Sequence, residues 1–242
     1  MTIIADASTP AAPPGPAETI YRLAGVTKRY QQKGRTVEAL AGIDLELKAG
    51  DFVAIQGPTG GGKSTLLQLL GALDKPTSGT ITLGGTALSG ASSSELGRLR
   101  AKEIGFVFQG FNLIPTLTAF ENVEMALDPL GYPAAERRAR AAEALAQVQL
   151  ADRHDHLPTE LSGGQQQRVA IARAIVKQPS VLLADEPTGN LDEQTRDEIM
   201  AVLEDLNGAG LTLIVVTHDS HVARRAHRRL RLTKGTVVEL DR

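Results

Sequence analysis

Phe52-Val53-Ala54-Ile55-Gln56-Gly57-Pro58-Thr59-Gly60-Gly61-Gly62-Lys63-Ser64-Thr65 passes from a short apolar run, through four glycines, into a stretch carrying Leu66, Leu67, Leu69 and Leu70. A continuous apolar run bounded by glycine reads as a buried strand, and leucines at that spacing read as a helix over Lys63 to Leu73. A glycine-rich turn between strand and helix has one strong physical use. Gly57, Gly60, Gly61 and Gly62 leave backbone N–H groups unobstructed, so the loop, with Pro58 and Thr59 in it, can wrap an anion. The helix start adds unpaired N–H groups and the positive end of its dipole. Lys63 then supplies a mobile charge for outer phosphates, Ser64 a hydroxyl for Mg²⁺ and Thr65 a bond to an inner phosphate. A chance glycine turn is the bland alternative; the strand before it and the helix after it argue against that.

Working outward, apolar runs alternate with helical patterns, as in a parallel sheet covered on both faces. Tyr21-Leu23-Val26 and Ile43-Leu45-Leu47 alternate in period two and read as strands with one wet face, joined across a loop at Gln31 to Thr36. Ile81 and Leu83 suggest an edge strand and Phe106–Phe108 a further one. Val181–Ala184 and Leu213–Val216 are the clearest buried strands, and Leu230–Leu232 with Val237–Leu240 reads as a terminal hairpin. Between Gln109 and Gln178 the strand signal vanishes, and Phe120–Leu127, Ala134–Val148 and Gln165–Val176 read as helices. A helical lobe inserted in an α/β core is expected.

Two further stretches carry chemistry. Val181-Leu182-Leu183-Ala184-Asp185-Glu186 is an apolar strand ending in two acids. Paired carboxylates there are unfavourable without a cation, and that end of a parallel sheet is where ligands bind. Asp185 reads as a Mg²⁺ ligand and Glu186 as the group that orients an attacking water. Leu161-Ser162-Gly163-Gly164-Gln165 matches a capping box, serine with glutamine three residues on. A cap does not need two glycines, which weaken a helix, so bare N–H groups here make a second anion site. It has no lysine, so it binds phosphate only when another element presents it. One chain with two half-sites suggests a twofold dimer, Lys63 of one copy facing Ser162 of the other across the nucleotide.

The combination of the lysine loop with Leu161–Gln165 resembles the ATP-binding cassette (ABC) ATPases over nearly the whole chain after the first twenty or so residues. The resemblance implies a P-loop NTPase core, a parallel sheet plus an antiparallel β subdomain, with a helical subdomain inserted at about 110–178. By the same resemblance Gln109 is the glutamine that senses Mg²⁺ and water and hinges the lobe, and His218 is the switch histidine on the γ-phosphate. Tyr30 is the aromatic that stacks on adenine, and Gly189-Asn190-Leu191-Asp192 is the loop near the dimer axis. Asp192 also reads as an N-cap for the helix after it. Thr59 and Gly61 depart from the serines common in this loop but keep it flexible. Leu70–Gly79, Phe111–Pro115 and Leu183–Asp192 resemble the macrolide-export and lipoprotein-release branch. That branch implies a separate membrane permease chain, a peripheral place on the cytoplasmic face of the inner membrane, and a cleft at Gln109, Phe111 and Leu113 as the contact. A soluble assembly ATPase without a permease is the other class; a DNA-repair cassette would need a long heptad insertion, and none is present.

Composition sets the outer limits. With 242 residues, 42% of them hydrophobic and 22% charged, the chain can bury a sizeable core. A net charge of −2 gives no field toward nucleic acid, so Arg224, Arg225, Arg228, Arg229 and Arg231 read as a solvated face. The absence of cysteine excludes disulfides and thiol chemistry. His154-Asp155-His156 lacks a third cluster for a metal and reads as a loop. Residues 1–17, rich in proline and alanine, read as a disordered tail.

Overall fold

The computed structural model describes residues 18–32 and 34–240; the expected tail at 1–17 lies outside them. Chain order is β1 (Thr19–Gln32), β2 (Arg35–Lys48), β3 (Phe52–Gln56), α1 (Lys63–Leu70), β4 (Ser78–Leu83), β5 (Thr86–Ala87), α2 (Ser93–Glu103) and β6 (Ile104–Phe108). There follow α3 (Ala119–Glu124), α4 (Ala134–Gln147), α5 (Gly163–Ile175), β7 (Val181–Asp185), α6 (Glu193–Gly208), β8 (Thr212–Val216), α7 (Ser220–Arg224), β9 (Arg228–Thr233) and β10 (Thr236–Leu240).

Two sheets organise the molecule. The larger has strand order β10-β9-β3-β8-β7-β6, parallel from β9 to β6 with β10 antiparallel at one edge. Its inner strands β3, β8 and β7 are apolar on both faces because both are covered. Leu182, Ala184, Leu213 and Val215 pack into one core cluster with α4, α5 and α6; Val181, Leu183, Ile214 and Val216 pack into the other with α1 and the second sheet. That second sheet is antiparallel, in order β2-β1-β4-β5. It is pinned to α1 by the buried Tyr21 hydroxyl, which donates to Leu70 O at 2.7 Å.

Three sequence expectations need correction. The loop at Gln31 to Thr36 is mostly strand: β1 and β2 pair as far as Gln32 and Arg35, so the chain reverses in a tight hairpin. β4 is not an edge strand; β5, two residues long, lies outside it. The helix expected over Phe120–Leu127 is α-helical only to Glu124 and then tightens to a 3₁₀ turn over Met125–Leu130, where Pro129 has no N–H to donate. Helix α2 went unread because only Leu96 is buried along it. Its start was nonetheless legible, since Ser92 and Glu95 form a reciprocal capping box.

Between Gln109 and Gln178 the described residues contain helices and turns but no strand. Buried Asn122 ties this region together: its amide donates to Ile114 O, Leu117 O and Thr118 O, and its oxygen accepts from Ile114 N. Among the described residues no helix is long and apolar enough to cross a membrane.

Candidate nucleotide site at the carboxyl ends of the parallel strands

Four neighbouring strands deliver the chemistry to one edge of the sheet. β3 runs into the glycine loop, β6 into Gln109, β7 into Asp185 and Glu186, and β8 into Thr217 and His218. The loop's shape depends on contacts that only glycine permits. Gly62 has φ 100° and lies so close to β2 that an added Cβ would be 2.5 Å from Ala39 O. Lys63 curls back over the loop, its Nζ donating to Gly57 O at 2.8 Å and Pro58 O at 3.1 Å, so its charge sits inside the ring of N–H groups. Ser64 and Thr65 begin α1, which has no side-chain cap and no acid in its first turn to compete with an anion.

Asp185 is half-buried, and burial, followed by the neighbouring charge of Glu186, pushes its carboxyl above the usual range, with Lys63 opposing. Ser64, Asp185 and Gln109 offer hard oxygen donors, too few to cage a metal alone; no group of three His, Cys, Asp or Glu that could hold a metal occurs among the described residues. Such a set fits Mg²⁺, which binds through a few protein oxygens, phosphates and water.

Glu186 is held hard. It has φ 47°, outside the regions a side-chain-bearing residue prefers, and its N–H donates to Val216 O at 2.9 Å. Thr217 Oγ1 donates to Oε2 at 3.0 Å, and the His218 backbone N–H reaches Oε1 at 3.0 Å. His218 Nδ1 lies 2.8 Å from the same Oε1. Both carboxylate oxygens are therefore engaged, while the His218 side chain is otherwise 74% exposed. His218 also shares a hollow of about 330 Å³ with Gln56, Gly57, Pro58, Arg231 and Thr233. Gln109 exchanges hydrogen bonds with Asn190: Nε2 donates to Asn190 Oδ1 at 2.9 Å, and Asn190 Nδ2 donates to Gln109 O at 3.0 Å.

The capping box at the start of α5 forms as the sequence anticipates. Gln165 N donates to Ser162 Oγ at 3.2 Å and Ser162 N to Gln165 Oε1 at 2.9 Å. Its two glycines have different reasons. Gly164 is buried, and a Cβ there would run into Thr195 Cγ2 on α6, so packing alone requires it. Gly163 is half-exposed, with Leu191 and Phe111 as its nearest side-chain neighbours, and is the glycine left open to a ligand. Asp192 caps α6, accepting from Thr195 N at 3.0 Å, and the Thr195 bonds hold its carboxyl below the ordinary value. Within one chain, no hydrogen bond or ion pair among the described residues joins Ser162–Gln165 to the Lys63 loop.

Tyr30 stands apart. Its hydroxyl donates to Asp74 Oδ2 at 3.1 Å and Lys28 Nζ lies 5.0 Å from its ring centre. It pairs across the hairpin with Val37, which leads along β2 to Ala39 against Gly62. Phe111 and Leu113 are also not where the sequence suggested. Leu113 packs on the lobe's core, and Phe111, at φ 60°, lies beside Gly163 while its carbonyl accepts from Arg173. The groove between core and lobe, of about 540 Å³, is lined instead by Leu73, Phe106, Phe108, Ala126 and Pro129, with Arg100, Arg173 and Lys177. The sequence places Asn190 in a motif but does not show that it pairs with Gln109, and it gives no signal for Thr195 against Gly164, because both pairings join residues distant along the chain. Among the described residues, the His154 ring pairs with Asp155 and Ala151 O.

A lysine-bearing glycine loop behind a central parallel strand, with acids at the end of the next strand but one, defines a P-loop nucleoside triphosphatase. A family model described as "ABC transporter" matches residues 40–189. The "Macrolide export ATP-binding/permease protein MacB" of Brucella melitensis is 48% identical over 219 residues, 90% of this chain and 34% of that protein. The protein of the same name from Rhodopseudomonas palustris is 47% identical over 222 residues, 92% of this chain and 34% of its own. The chain thus spans about a third of the length of these curated relatives. Among solved structures, the "Dimeric structure of a post-hydrolysis state of the ATP-binding cassette MJ0796 bound to ADP and Pi" is 45% identical, with TM-score 0.83 over 92% of this chain and 98% of that one. A second, "Dimeric Structure of MJ0796, a Bacterial ABC Transporter Cassette", has TM-score 0.82. The chain belongs to the ABC transporter family, and its fold is that of the family's ATPase cassette.

Proposed function

We propose that two copies of this chain close around ATP and Mg²⁺ and that their cycle of closure and release drives a membrane permease from the cytoplasmic face of the inner membrane. The observation that carries the dimer is the separation of the half-sites. Ser162 and Gly163 open a helix start toward solvent, yet among the described residues nothing in the same chain brings a phosphate to them. The dimeric state named for the similar cassettes supports the same reading, and the "ATP-binding/permease" names of the relatives support the membrane partner.

In this reading Lys63 and the N–H groups of Gly57–Ser64 hold the phosphates. Tyr30, with Val37, offers a face to the adenine base, while Ser162, Gly163, Gly164 and Gln165 of the second copy close the other side and exclude water. Ser64, Asp185 and Gln109 would hold Mg²⁺, which would supply positive charge against the phosphate oxygens. His218 leaves Glu186 for the γ-phosphate, which frees Oε1 to polarise the attacking water. The loop from Gly189 to Asp192 lines the contact between copies.

The permease contact is the groove at Leu73, Phe106, Phe108, Ala126 and Pro129. Leu73 is 52% exposed, a large apolar side chain at its rim. A separate permease chain remains the reading made from the branch resemblance. Leu73→Asp is expected to leave ATP binding by the cassette unchanged and to remove the chain from membranes containing the permease. Co-sedimentation with such membranes, with and without carbonate washing, checks this. A cassette that stays in the soluble fraction when co-expressed with the permeases encoded beside it indicates a soluble assembly ATPase instead.

A further inference from the structure

Gln167 is fully buried in the second turn of α5, yet only half of its amide is used. Its Nε2 donates to Pro187 O at 2.6 Å, while its Oε1 has no hydrogen-bond partner. A buried acceptor without a partner weakens folding, and methionine or leucine would fill the same volume without that cost. The residue is explained by its donor. Pro187 follows Glu186, the residue held at φ 47°, and begins the turn through Thr188 and Gly189 to Asn190. That turn is anchored at three points: Glu186 N on Val216 O, Asn190 on Gln109, and Pro187 O on Gln167. Only the last comes from the helix that Ser162 caps. Gln167 stands roughly 7 Å along that helix from Ser162, a distance a single rigid turn and a half transmits without loss.

We infer that Gln167 is a positioning residue that reports ATP at the Ser162–Gly163 half-site to Glu186 of the same chain. This rests on the dimer reading above. In that dimer the nucleotide touching Ser162 is bound by the partner's phosphate loop, so Gln167 links the partner's ATP to this chain's own catalytic carboxylate. A phosphate seated against Gly163 fixes the start of α5, and the bond to Pro187 O fixes the turn that aims Glu186. The two sites then fire together rather than independently.

The test compares the Glu186→Gln chain with the same chain also carrying Gln167→Met. Gel filtration with Mg-ATP reads dimer formation, and hydrogen–deuterium exchange reads the amides of residues 188–191. Both chains are expected to dimerise. Burial of this loop between copies slows exchange in both dimers, and ATP is expected to protect residues 188–191 on the order of tenfold more in the first chain than in the second. In a chain retaining Glu186, Gln167→Met is expected to lower kcat about tenfold, to leave KM for ATP within about twofold, and to bring the Hill coefficient for ATP down to about 1. Its melting temperature is expected to be unchanged or higher. Equal ATP protection in the two dimers overturns the inference and leaves the dimer standing. So does a variant in which melting temperature, KM and kcat deteriorate together, since that is a packing defect. A failure of both chains to dimerise removes the reading on which the inference rests, and the inference with it.

Discussion

Lys63→Ala is expected to abolish detectable ATP turnover and to weaken ATP binding sharply. Lys63 is the one mobile cation inside the glycine loop, and its Nζ also bonds Gly57 O and Pro58 O. Alanine removes the charge that faces the outer phosphates and the cross-brace that holds the loop in its anion-binding shape. Loss of one preorganised charge-stabilising group at a transition state costs about 100- to 1000-fold in rate, and here the ground-state phosphates lose it too. Isothermal titration and a steady-state phosphate-release assay measure the two effects. The fold is expected to survive, because the Lys63 side chain is not part of either core cluster. Near-normal affinity with full turnover would remove Lys63 from the site.

Glu186→Gln is expected to spare ATP binding and to abolish turnover. The amide keeps the carboxylate's shape and one acceptor oxygen for the His218 N–H, and Thr217 can rotate its hydroxyl to suit the new group. It cannot take up a proton from the attacking water. Loss of a positioned general base costs about 100- to 10,000-fold. ATP affinity is therefore expected to stay within about twofold of the parent while hydrolysis stops. A variant that binds ATP normally and still hydrolyses it at the parental rate would show that another group activates the water.

Much of the fold was legible because the strongest signals are local. The apolar strands Phe52–Ile55, Val181–Ala184 and Leu213–Val216 are continuous runs because helices or a second sheet cover both faces, and a single sequence records that directly. Capping boxes are equally local, so the start of α5 at Ser162 and the cap at Asp192 could be read before any contact was known. What escaped depends on pairing between distant residues. The length of the β1–β2 hairpin is set by register, not by composition, and exposed polar residues such as Gln31 and Thr36 pair as readily as apolar ones. Gly164 also packs against Thr195, thirty-one residues on, a contact that no local signal records. The groove beside the lobe was assigned to Phe111 and Leu113 from their adjacency to Gln109. Instead, of that segment only Asn112 lines the groove, and its apolar wall is built from Phe106 and Phe108 on β6, Leu73 from well back in sequence, and Ala126 and Pro129.

The central claim is that one chain holds two halves of two different sites. Analytical ultracentrifugation of the Glu186→Gln chain at saturating Mg-ATP, with bound nucleotide counted after separation, tests it most directly. A Gly163→Arg companion blocks the open glycine of the second half-site and leaves the Lys63 loop untouched. The account predicts an ATP-dependent dimer retaining one nucleotide per chain. The companion is predicted to bind ATP with parental affinity and to remain a monomer. A monomer in both cases, or a dimer that forms as well with arginine at position 163, would contradict it.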